Sequence, residues 1–252
     1  MNLKPVALVT GASSGIGRTT ALEFAKNGFD VILLSRSANK LDELCQQIGS
    51  TSWALPCDLE QPHSVDIAIK QIQSLGLDGR LNAIVNNAGI FIRSPFQETT
   101  LEQWLKMLHI NFLSAIQLTS GLFEELKKST QFFNTASVVN ISSTASLRPV
   151  ANTSAYSSLK AAMNSWTQNL ALEWAPYRIR VNAICPGIVD TPIHNIGEQP
   201  ESIQEQYAKM QPLGRVGRPE EIAVAARFLS GPDSQWTTGS LLTVDGGISL
   251  KG

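Results

Sequence analysis

Tyr156 and Lys160 are the two side chains whose types and spacing first suggest chemistry. They lie four residues apart in a segment of helical periodicity, so both side chains emerge on one face of the helix. A free phenol titrates near about 10, and a neighbouring ammonium favours the phenolate, so we expect Lys160 to lower the pKa of Tyr156. Such a pair could exchange a proton near neutral pH. Taken alone, it is more often a surface contact.

A glycine-rich turn in the segment 6–17 suggests a second kind of chemistry. An apolar strand, Val6–Thr10, is followed by a turn and by the start of a helix, with glycines at 11, 15 and 17 in a GxxxGxG spacing. Glycine lets the backbone approach a pyrophosphate, and a helix N-terminus offers free N–H groups. The turn therefore predicts nucleotide binding, although tight packing is the alternative.

The composition limits the remaining functions. The chain has 252 residues, 43% of them hydrophobic and 16% charged, with a net charge of -1. These values are typical of a globular protein and give no basis for a nucleic-acid or membrane partner, so a small-molecule substrate is expected. The cysteines, Cys45, Cys57 and Cys185, have no metal-binding spacing and are predicted to be reduced, with no catalytic metal. No signal peptide or membrane span is recognised, so a cytoplasmic location is expected.

The elements that must position these residues alternate between short aliphatic strands and longer helices. This pattern predicts an α/β fold, a Rossmann-type doubly wound parallel sheet of about seven strands flanked by helices, as a single domain over residues 1–252. Strands are predicted near 5–10, 30–35, 53–57, 81–86, 136–142, 179–184 and 240–244. Helices are predicted near 15–27, 38–48, 62–75, 100–128, 154–174, 202–210 and 219–230. The polar excursion at about 188–214 is interpreted as a substrate lid, with a plain surface loop as the alternative.

Four motifs in this order resemble those of the short-chain dehydrogenases/reductases. They are Thr10-Gly11-x-x-x-Gly15-Ile16-Gly17, Asn86-Asn87-Ala88-Gly89, the Ser142-Ser143 to Tyr156-x-x-x-Lys160 set and Pro186-Gly187. The resemblance implies an NAD(P)-dependent oxidoreductase that interconverts a carbonyl and a secondary alcohol by hydride transfer, with Tyr156 as general acid/base. Within that family the chain looks most like 3-oxoacyl-carrier-protein reductases and sugar or polyol dehydrogenases.

The resemblance also assigns the predicted catalytic set. Ser143, thirteen residues before Tyr156, would hydrogen-bond the substrate oxygen; Ser142 is the alternative. Asn111 would hold a water that links Lys160 to solvent. An asparagine inside a helix needs a reason, because its amide competes for backbone hydrogen bonds, and an exposed helix face is the alternative. His109, for which the sequence offers no partner, is interpreted as structural.

Cofactor choice depends on Ser35 and Arg36, which follow the second predicted strand. An acidic residue there would favour NAD, whereas a guanidinium suits a 2′-phosphate, so NADP(H) is preferred. No basic residue stands between Gly11 and Gly15, and NAD(H) use stays open. Asp58 would contact the adenine amino group or cap the next helix. The full predicted cofactor set is Gly11, Ser13, Ser14, Gly15, Ile16, Gly17, Ser35, Arg36, Asp58, Leu59, Asn87, Ala88, Gly89, Tyr156, Lys160, Pro186, Gly187, Ile188 and Thr191.

Substrate contacts and partners are predicted less directly. Besides Ser143 and Tyr156, the predicted substrate contacts are Thr144, Val150, Asn152, the Phe91-Ile92 segment and residues 188–212. The last strand resembles that of family members that form tetramers, so a homo-oligomer, tetramer or dimer, is implied. Residues 129–134 are interpreted as a surface connection. A carrier protein would need a basic face, to which Lys127, Lys128 and Arg178 could contribute, although Tyr177 stands where an arginine is expected.

Other classes of protein are less consistent with the sequence. A catalytically silent nucleotide-binding regulatory protein would have no need for the complete set of Asn111, Ser143, Tyr156 and Lys160. A P-loop hydrolase is disfavoured because no Gly-Lys-Ser/Thr follows the glycine turn.

Overall fold

A seven-stranded sheet forms the centre of the computed structural model, which describes residues 3–49 and 51–251. All its strand pairs are parallel, in the order β3-β2-β1-β4-β5-β6-β7. This confirms the predicted fold class. The strands are Val6–Thr10 (β1), Asp30–Ser35 (β2), Ser52–Pro56 (β3), Leu81–Asn86 (β4), Ala136–Ile141 (β5), Ile179–Pro186 (β6) and Leu241–Val244 (β7).

Helices cover both faces of this sheet. Within the described part of the chain they are Gly15–Lys26 (α1), Ala38–Ile48 (α2), Pro62–Gln73 (α3), Leu101–Leu108 (α4), Ser114–Gly121 (α5), Phe123–Phe133 (α6), Ser154–Trp174 (α7), Glu201–Met210 (α8) and Pro219–Ser230 (α9). A π-helical turn, His109–Leu113, joins α4 to α5. The strand residues of β1, β2, β4, β5 and β6 are all buried, as continuous apolar strands between two helical layers should be.

The core lies in two layers, one on each side of the sheet. On one face Ile84 packs with Leu118 of α5 and Leu126 of α6. On the other face Phe24 of α1 and Ile222 of α9 pack in a second cluster. The strand order reverses between β1 and β4, and in doubly wound sheets ligands bind in the crevice at the carboxyl ends of the strands at this point.

The long helix predicted over 100–128 is wrong in detail. The chain forms α4, the π-helical turn, α5 and α6 in succession, and Leu122 separates the last two with a non-helical backbone. Gly121, a poor helix former, immediately precedes this break, and a side chain on it would collide with Ile69 of α3. The local sequence therefore favours close packing against α3 over a continuous helix.

Residues 129–134 were predicted to be a surface connection, and this is also corrected. Most of them belong to α6, which continues to Phe133 before Asn134 adopts a positive φ of 67°. Ser129 is buried and accepts a hydrogen bond from Asn82 Nδ2 at 3.0 Å. The sequence did not predict this last helical turn, because several of its residues are polar and the buried partner of Ser129, Asn82, lies on β4.

The predicted lid region leaves the sheet after β6 and returns before α9. Its base is closed by backbone hydrogen bonds from Gly217 N to Ile188 O and from Asp190 N to Gly217 O, both 2.9 Å. These bonds create a short parallel bridge between Val189 and Gly217. Between its two ends the region contains α8, which agrees with the helix predicted near 202–210.

Candidate active site

The glycine-rich turn borders a cleft of about 240 Å³ that lies at the carboxyl ends of β1 to β4. Most of the predicted cofactor residues line it: Gly11, Ser13, Ser14, Gly15, Ile16, Ser35, Arg36, Asp58, Leu59, Asn87, Ala88, Gly89 and Thr191. Sequence reasoning missed the further lining residues Ser37, Cys57, Ile90 and Ile110, whereas the lining residues Pro192 and Ile193 lie within the range 188–212 predicted for substrate contacts. The four missed residues are each chain neighbours of predicted site residues, which is the signal that could have found them.

Two glycines of the turn are required by close backbone approach. Gly11 has a φ of +67°, and a Cβ there would lie 2.8 Å from Asn87 Nδ2 and 3.0 Å from Ala88 Cα. A Cβ on Gly17 would overlap the Gly11 carbonyl oxygen and Asn87 Nδ2. Gly17 therefore lets α1 pack onto the turn and does not line the cleft. The result is a backbone cradle that any larger side chain would fill.

Thr10 fixes this cradle to β4, and the predicted site set did not include it. Its Oγ1 accepts hydrogen bonds from the backbone N–H groups of Asn87 and Ala88, both at 2.9 Å. The Asn87 side chain in turn donates to the Thr10 carbonyl at 2.9 Å. A threonine at a strand end usually indicates only β propensity, so its type gave little signal.

The N-terminus of α1 points its first turn toward the same cleft. Ser14 is the N-cap, yet its side chain makes no capping hydrogen bond, and Ser13, Ser14, Gly15 and Ile16 all line the cavity. Helix N-termini attract anions through free N–H groups and the helix dipole. The cradle and this helix end therefore fit a pyrophosphate.

Ser35, Arg36 and Asp58 meet at the β2–β3 end of the cleft. Ser35 is buried, and its Oγ accepts a hydrogen bond from the Ser37 N–H at 3.3 Å. Arg36 is exposed, and within residues 3–49 and 51–251 no ion pair or hydrogen bond of its guanidinium is found. Asp58 does not cap α3, whose N-cap is Gln61; its carboxylate accepts from Glu60 N at 3.1 Å. That excludes the capping alternative for Asp58.

Tyr156 and Lys160 lie on the same face of α7, beside the cleft and close to Ser143. The Ser143 side chain lies near the phenol of Tyr156 and acts to lower its pKa. Lys160 is buried, with 3% of its surface exposed, and its ammonium donates to the Ile141 carbonyl at 2.7 Å. A Cβ on Gly89 would lie 3.8 Å from Lys160 Nζ, so only this glycine backbone separates the lysine from the cleft.

The expected direction of the Tyr156 pKa is wrong. Burial raises the pKa of Tyr156 to about 12, and the nearby Ser143 side chain opposes that change without reversing it. Burial also lowers the pKa of Lys160 to about 8. Burial therefore shifts both groups toward their neutral forms, although a lysine with a pKa of about 8 still carries most of its charge at neutral pH. The ammonium lies 5.8 Å from the centre of the tyrosine ring.

Asn111 is buried, which excludes an exposed helix face for it. Its Oδ1 accepts from Ile90 N at 2.8 Å, and its Nδ2 donates to Ile90 O at 2.9 Å. The residue lies in the π-helical turn, and such turns often mark functional sites. These two hydrogen bonds therefore hold Ile90, the residue after Gly89, against the π-helical turn that contains Asn111. His109 is half-buried in the same turn.

Ser142 and Ser143 point in different directions at the end of β5. Ser142 is buried, and its hydroxyl donates to the Lys160 carbonyl at 3.2 Å. Ser143 faces Tyr156, and its Oγ also accepts from Ala145 N at 3.1 Å. The geometry therefore favours Ser143 over Ser142 as the serine that can meet a substrate oxygen.

The structure places Pro186, Gly187 and Ile188 outside the cleft. A Cβ on Gly187 would lie 2.8 Å from the backbone of Asp245, so this glycine allows β6 to pack against the chain that follows β7. Ile188 lines a separate cavity of about 120 Å³. Close packing at the base of the lid explains this part of the motif without a ligand.

Comparison with known proteins agrees with this geometry. A family model described as "Enoyl-(Acyl carrier protein) reductase" matches residues 11–249. A tropinone reductase homolog of Arabidopsis thaliana is 34% identical over 249 residues, which cover 98% of this chain and 92% of the relative. The chain belongs to the short-chain dehydrogenase/reductase family. It is an oxidoreductase of that family.

Solved family members have nicotinamide dinucleotides bound. A 3-ketoacyl-(acyl-carrier-protein) reductase from Brucella melitensis, complexed with NADH, is 31% identical with a TM-score of 0.89, and the match covers 97% of this chain and 98% of that one. A putative 2-deoxy-D-gluconate 3-dehydrogenase from Agrobacterium tumefaciens with bound NADP is 30% identical with a TM-score of 0.86, covering 98% and 97%. Both are similar to this short-chain dehydrogenase/reductase over nearly its whole length.

The predicted substrate contacts of this family member fall into two groups. Phe91 packs edge-on against Tyr156, with ring centres 4.9 Å apart, and His194 of the lid region lies 5.9 Å from Phe91. His194 lies within the range 188–212 that was predicted to contact the substrate. Thr144 and Val150 line a further cavity of about 280 Å³. Asn152 is exposed, and its carbonyl accepts from Ser94 N at 2.9 Å.

The described residues of this short-chain dehydrogenase/reductase were compared with the patterns of a metal site and of a membrane-spanning helix. Over the residues that the structure describes, no group of three or more His, Cys, Asp or Glu side chains could hold a metal ion. No helix in this part of the chain is both long and apolar enough to cross a membrane. Cys45, Cys57 and Cys185 are free thiols.

Proposed function

We propose that the protein is an NADP(H)-preferring oxidoreductase that interconverts a carbonyl and a secondary alcohol, with Tyr156 as the general acid/base. The observation that carries this proposal is the placement of Tyr156 and buried Lys160 on one face of α7, with the ammonium 5.8 Å from the centre of the tyrosine ring and next to Gly89 of the cleft. A phenol with an ammonium beside it can exchange a proton with a substrate oxygen.

The cleft fits a dinucleotide by three features. The Gly11 turn and the first turn of α1 would hold the pyrophosphate, because they offer N–H groups and have no side chain in the way. Thr10 keeps the Asn87–Gly89 segment against this turn. When bound, the nicotinamide supplies or accepts the hydride.

Four side chains would carry out and support the proton transfer. Tyr156 would give its proton to the carbonyl oxygen during reduction and take one back during oxidation, while Ser143 holds the same oxygen. Lys160 has a pKa of about 8, so it can change its charge close to neutral pH. In its charged form it would ease proton loss from Tyr156. We propose that Asn111 positions the Ile90 backbone and links Lys160 to solvent through water.

Preference for NADP(H) rests on Arg36. The lining of the cleft places this guanidinium beside Ser35 with no acidic residue directly after β2, and a guanidinium fork suits a phosphate monoester. Asp58 lies at the same end and would accept a hydrogen bond from the adenine amino group. NAD(H) remains a second cofactor in this proposal.

Two measurements test the assignment. Fluorescence titration should show NADPH binding more tightly than NADH, and Arg36→Ala should weaken NADPH binding by roughly tenfold to a hundredfold while leaving NADH binding nearly unchanged. Tyr156→Phe should reduce turnover of model ketones by about 10²–10⁴-fold without loss of NADPH binding. Tyr177→Phe, outside the cleft, is the matched control. Absence of binding by either nucleotide would instead favour the silent regulatory protein.

The carrier-protein alternative has one observation for it and one against it. The Brucella melitensis structure is a 3-ketoacyl-(acyl-carrier-protein) reductase. In this chain, however, Lys127 and Lys128 of α6 already pair with Glu124 and Glu125, at 3.6 Å and 2.8 Å. The proposed basic docking face is therefore largely neutralised, and we favour a small free carbonyl or sugar-like alcohol as substrate.

Three further expectations remain proposals. Residues 188–214 would act as a substrate lid, which is supported by Thr191, Pro192 and Ile193 lining the cleft and by His194 lying 5.9 Å from Phe91. A homo-oligomer, tetramer or dimer, is proposed from the family resemblance. A cytoplasmic location stays a prediction from the sequence.

A further inference from the structure

The cavity next to Ser143 carries an unexplained concentration of positive charge. It has a volume of about 280 Å³ and is lined by Thr144, Arg148, Pro149, Val150, Met210, Ile248, Ser249 and Lys251. Two of these side chains are cationic, and none is acidic. Cavities for drug-sized ligands measure roughly 300–1,000 Å³, so this one has room for a charged group and part of the molecule that carries it.

Its position ties this cavity to the reaction centre. Thr144 directly follows Ser143, and the segment that forms one wall, residues 144–150, is the connection between Ser143 and the helix that carries Tyr156. Arg148 N donates to the Thr144 carbonyl at 2.9 Å, which fixes the arginine one short turn away from the serine. A molecule whose oxygen meets Ser143 can therefore extend a further group along this segment toward the cavity.

The opposite wall comes from the end of the lid and from the C-terminal segment. Lys251 donates to the carbonyl of Lys209 at 2.8 Å, which leaves two of its ammonium hydrogens for a ligand. The carboxylate of Asp245, which lies four residues before Ser249 of this wall, is already held by the backbone N–H groups of Gly247 and Ser249 at 2.8 Å and 2.9 Å. Across the described ranges, 3–49 and 51–251, neither Arg148 nor Lys251 forms an ion pair with a side-chain carboxylate.

We propose that the physiological substrate carries an anionic group, a carboxylate or a phosphate, which Arg148 and Lys251 bind in this cavity while the carbonyl lies at Ser143 and Tyr156. The inference rests on the proposed function and narrows its substrate class to small oxo acids or oxo phosphates. During reduction the carbonyl carbon gains a hydride from the reduced nicotinamide and the oxygen gains the Tyr156 proton. A secondary alcohol and the oxidised nucleotide result, and the anionic group is unchanged.

Matched pairs of carbonyl compounds test this proposal. The carboxylate arm compares 3-oxobutanoate with its methyl ester, and the phosphate arm compares dihydroxyacetone phosphate with dihydroxyacetone. We expect kcat/KM with NADPH to favour the anion in at least one arm by about tenfold or more, and the arm identifies the group. Arg148→Gln should remove about tenfold from the anion and leave the neutral partner nearly unchanged. Lys251→Gln should act in the same direction with a smaller effect.

Controls separate charge recognition from folding and from the wider function. Arg148 is exposed, so Arg148→Gln should keep the thermal midpoint of the wild type, and Lys70→Gln, on α3, should leave every ratio unchanged. High salt should reduce the preference for the anion. Equal kcat/KM for anion and neutral partner in both arms overturns the inference alone. If none of the four compounds is reduced although NADPH binds, the proposed function fails and the inference fails with it.

Discussion

Replacing Lys160 with Met should change the pH dependence of stability in a direction that the burial of this lysine sets. The pKa of Lys160 is about 8 in the folded chain, whereas the ordinary value, which the unfolded chain keeps, is 10.5. Between these values the unfolded chain binds more protons than the folded one, so wild-type stability rises with pH through this window. The contribution of this pKa shift to the free energy of unfolding is fully present above pH 10.5 and is lost as the pH falls through about 8.

The size of the effect follows from the same two values. A difference of 2.5 pH units, from 10.5 to about 8, corresponds to about 3 kcal/mol. Between about pH 7 and 9.5 the wild type should gain about 2 kcal/mol relative to Lys160→Met. Staying below pH 10 keeps the titration of Tyr156, whose pKa is raised from 10.0 to about 12, outside the comparison.

Urea unfolding at matched pH and salt measures this difference directly. The free energy of unfolding of Lys160→Met is subtracted from that of the wild type at each pH, which cancels the titration of groups that both proteins share. Lys70→Met, at an exposed position, is the matched control for loss of a lysine. A flat difference for Lys160→Met, or one that falls as the pH rises, would refute the argument that burial dominates the charge of this lysine.

Three substitutions test the scaffold of the site. Thr10→Val should cost about 1–3 kcal/mol in urea unfolding, because the N–H of Asn87 loses its acceptor, and Thr10→Ser should restore most of it. Gly17→Ala, whose Cβ would overlap the Gly11 carbonyl, should weaken NADPH binding by about tenfold or more in a fluorescence titration; unchanged affinity would contradict the packing argument. Asn140→Leu should lower stability by about 1–3 kcal/mol, since its buried amide makes two hydrogen bonds, and an unchanged urea midpoint would show that those bonds are replaceable.

Much of the fold follows from patterns that the sequence shows openly. Strands such as Val31–Leu34 are continuously apolar because helices cover both sheet faces, and such a run is visible directly in the sequence. The cleft at Gly11 was predictable for a related reason, since the strand, the glycine turn and the helix start are adjacent in the chain. Local signals are enough where the interacting residues are neighbours.

The parts that sequence reasoning missed depend on distant partners. The break at Gly121 reflects a contact with Ile69, and the burial of Ser129 reflects a hydrogen bond from Asn82. The direction of the Tyr156 pKa was wrong because spacing shows the lysine but not the apolar surroundings, and desolvation outweighs the charge. These features depend on packing between elements far apart in the chain.

A chain of buried amides crosses the sheet beneath the reaction centre. Asn86 Nδ2 donates to Thr119 Oγ1 at 3.0 Å and to Asn140 Oδ1 at 2.8 Å, and Asn140 Nδ2 donates to Thr167 Oγ1 at 2.8 Å. The chain thereby couples α5, β4, β5 and α7, so it fixes the rotation of α7 about its axis. Buried polar networks of this kind specify one arrangement of a core because any other leaves groups unpaired.

The bridge between Val189 and Gly217 has a consequence for how this family member can diversify. The bridge joins the two ends of the lid region at its base, so residues inserted or removed between them lengthen a closed loop without moving β6 or α9. Loop-closure free energy rises by only about 0.6 kcal/mol for each doubling of loop length. The lid can therefore be exchanged as a cassette between related enzymes, which would alter the molecules admitted while the hydride-transfer apparatus beneath it stays the same.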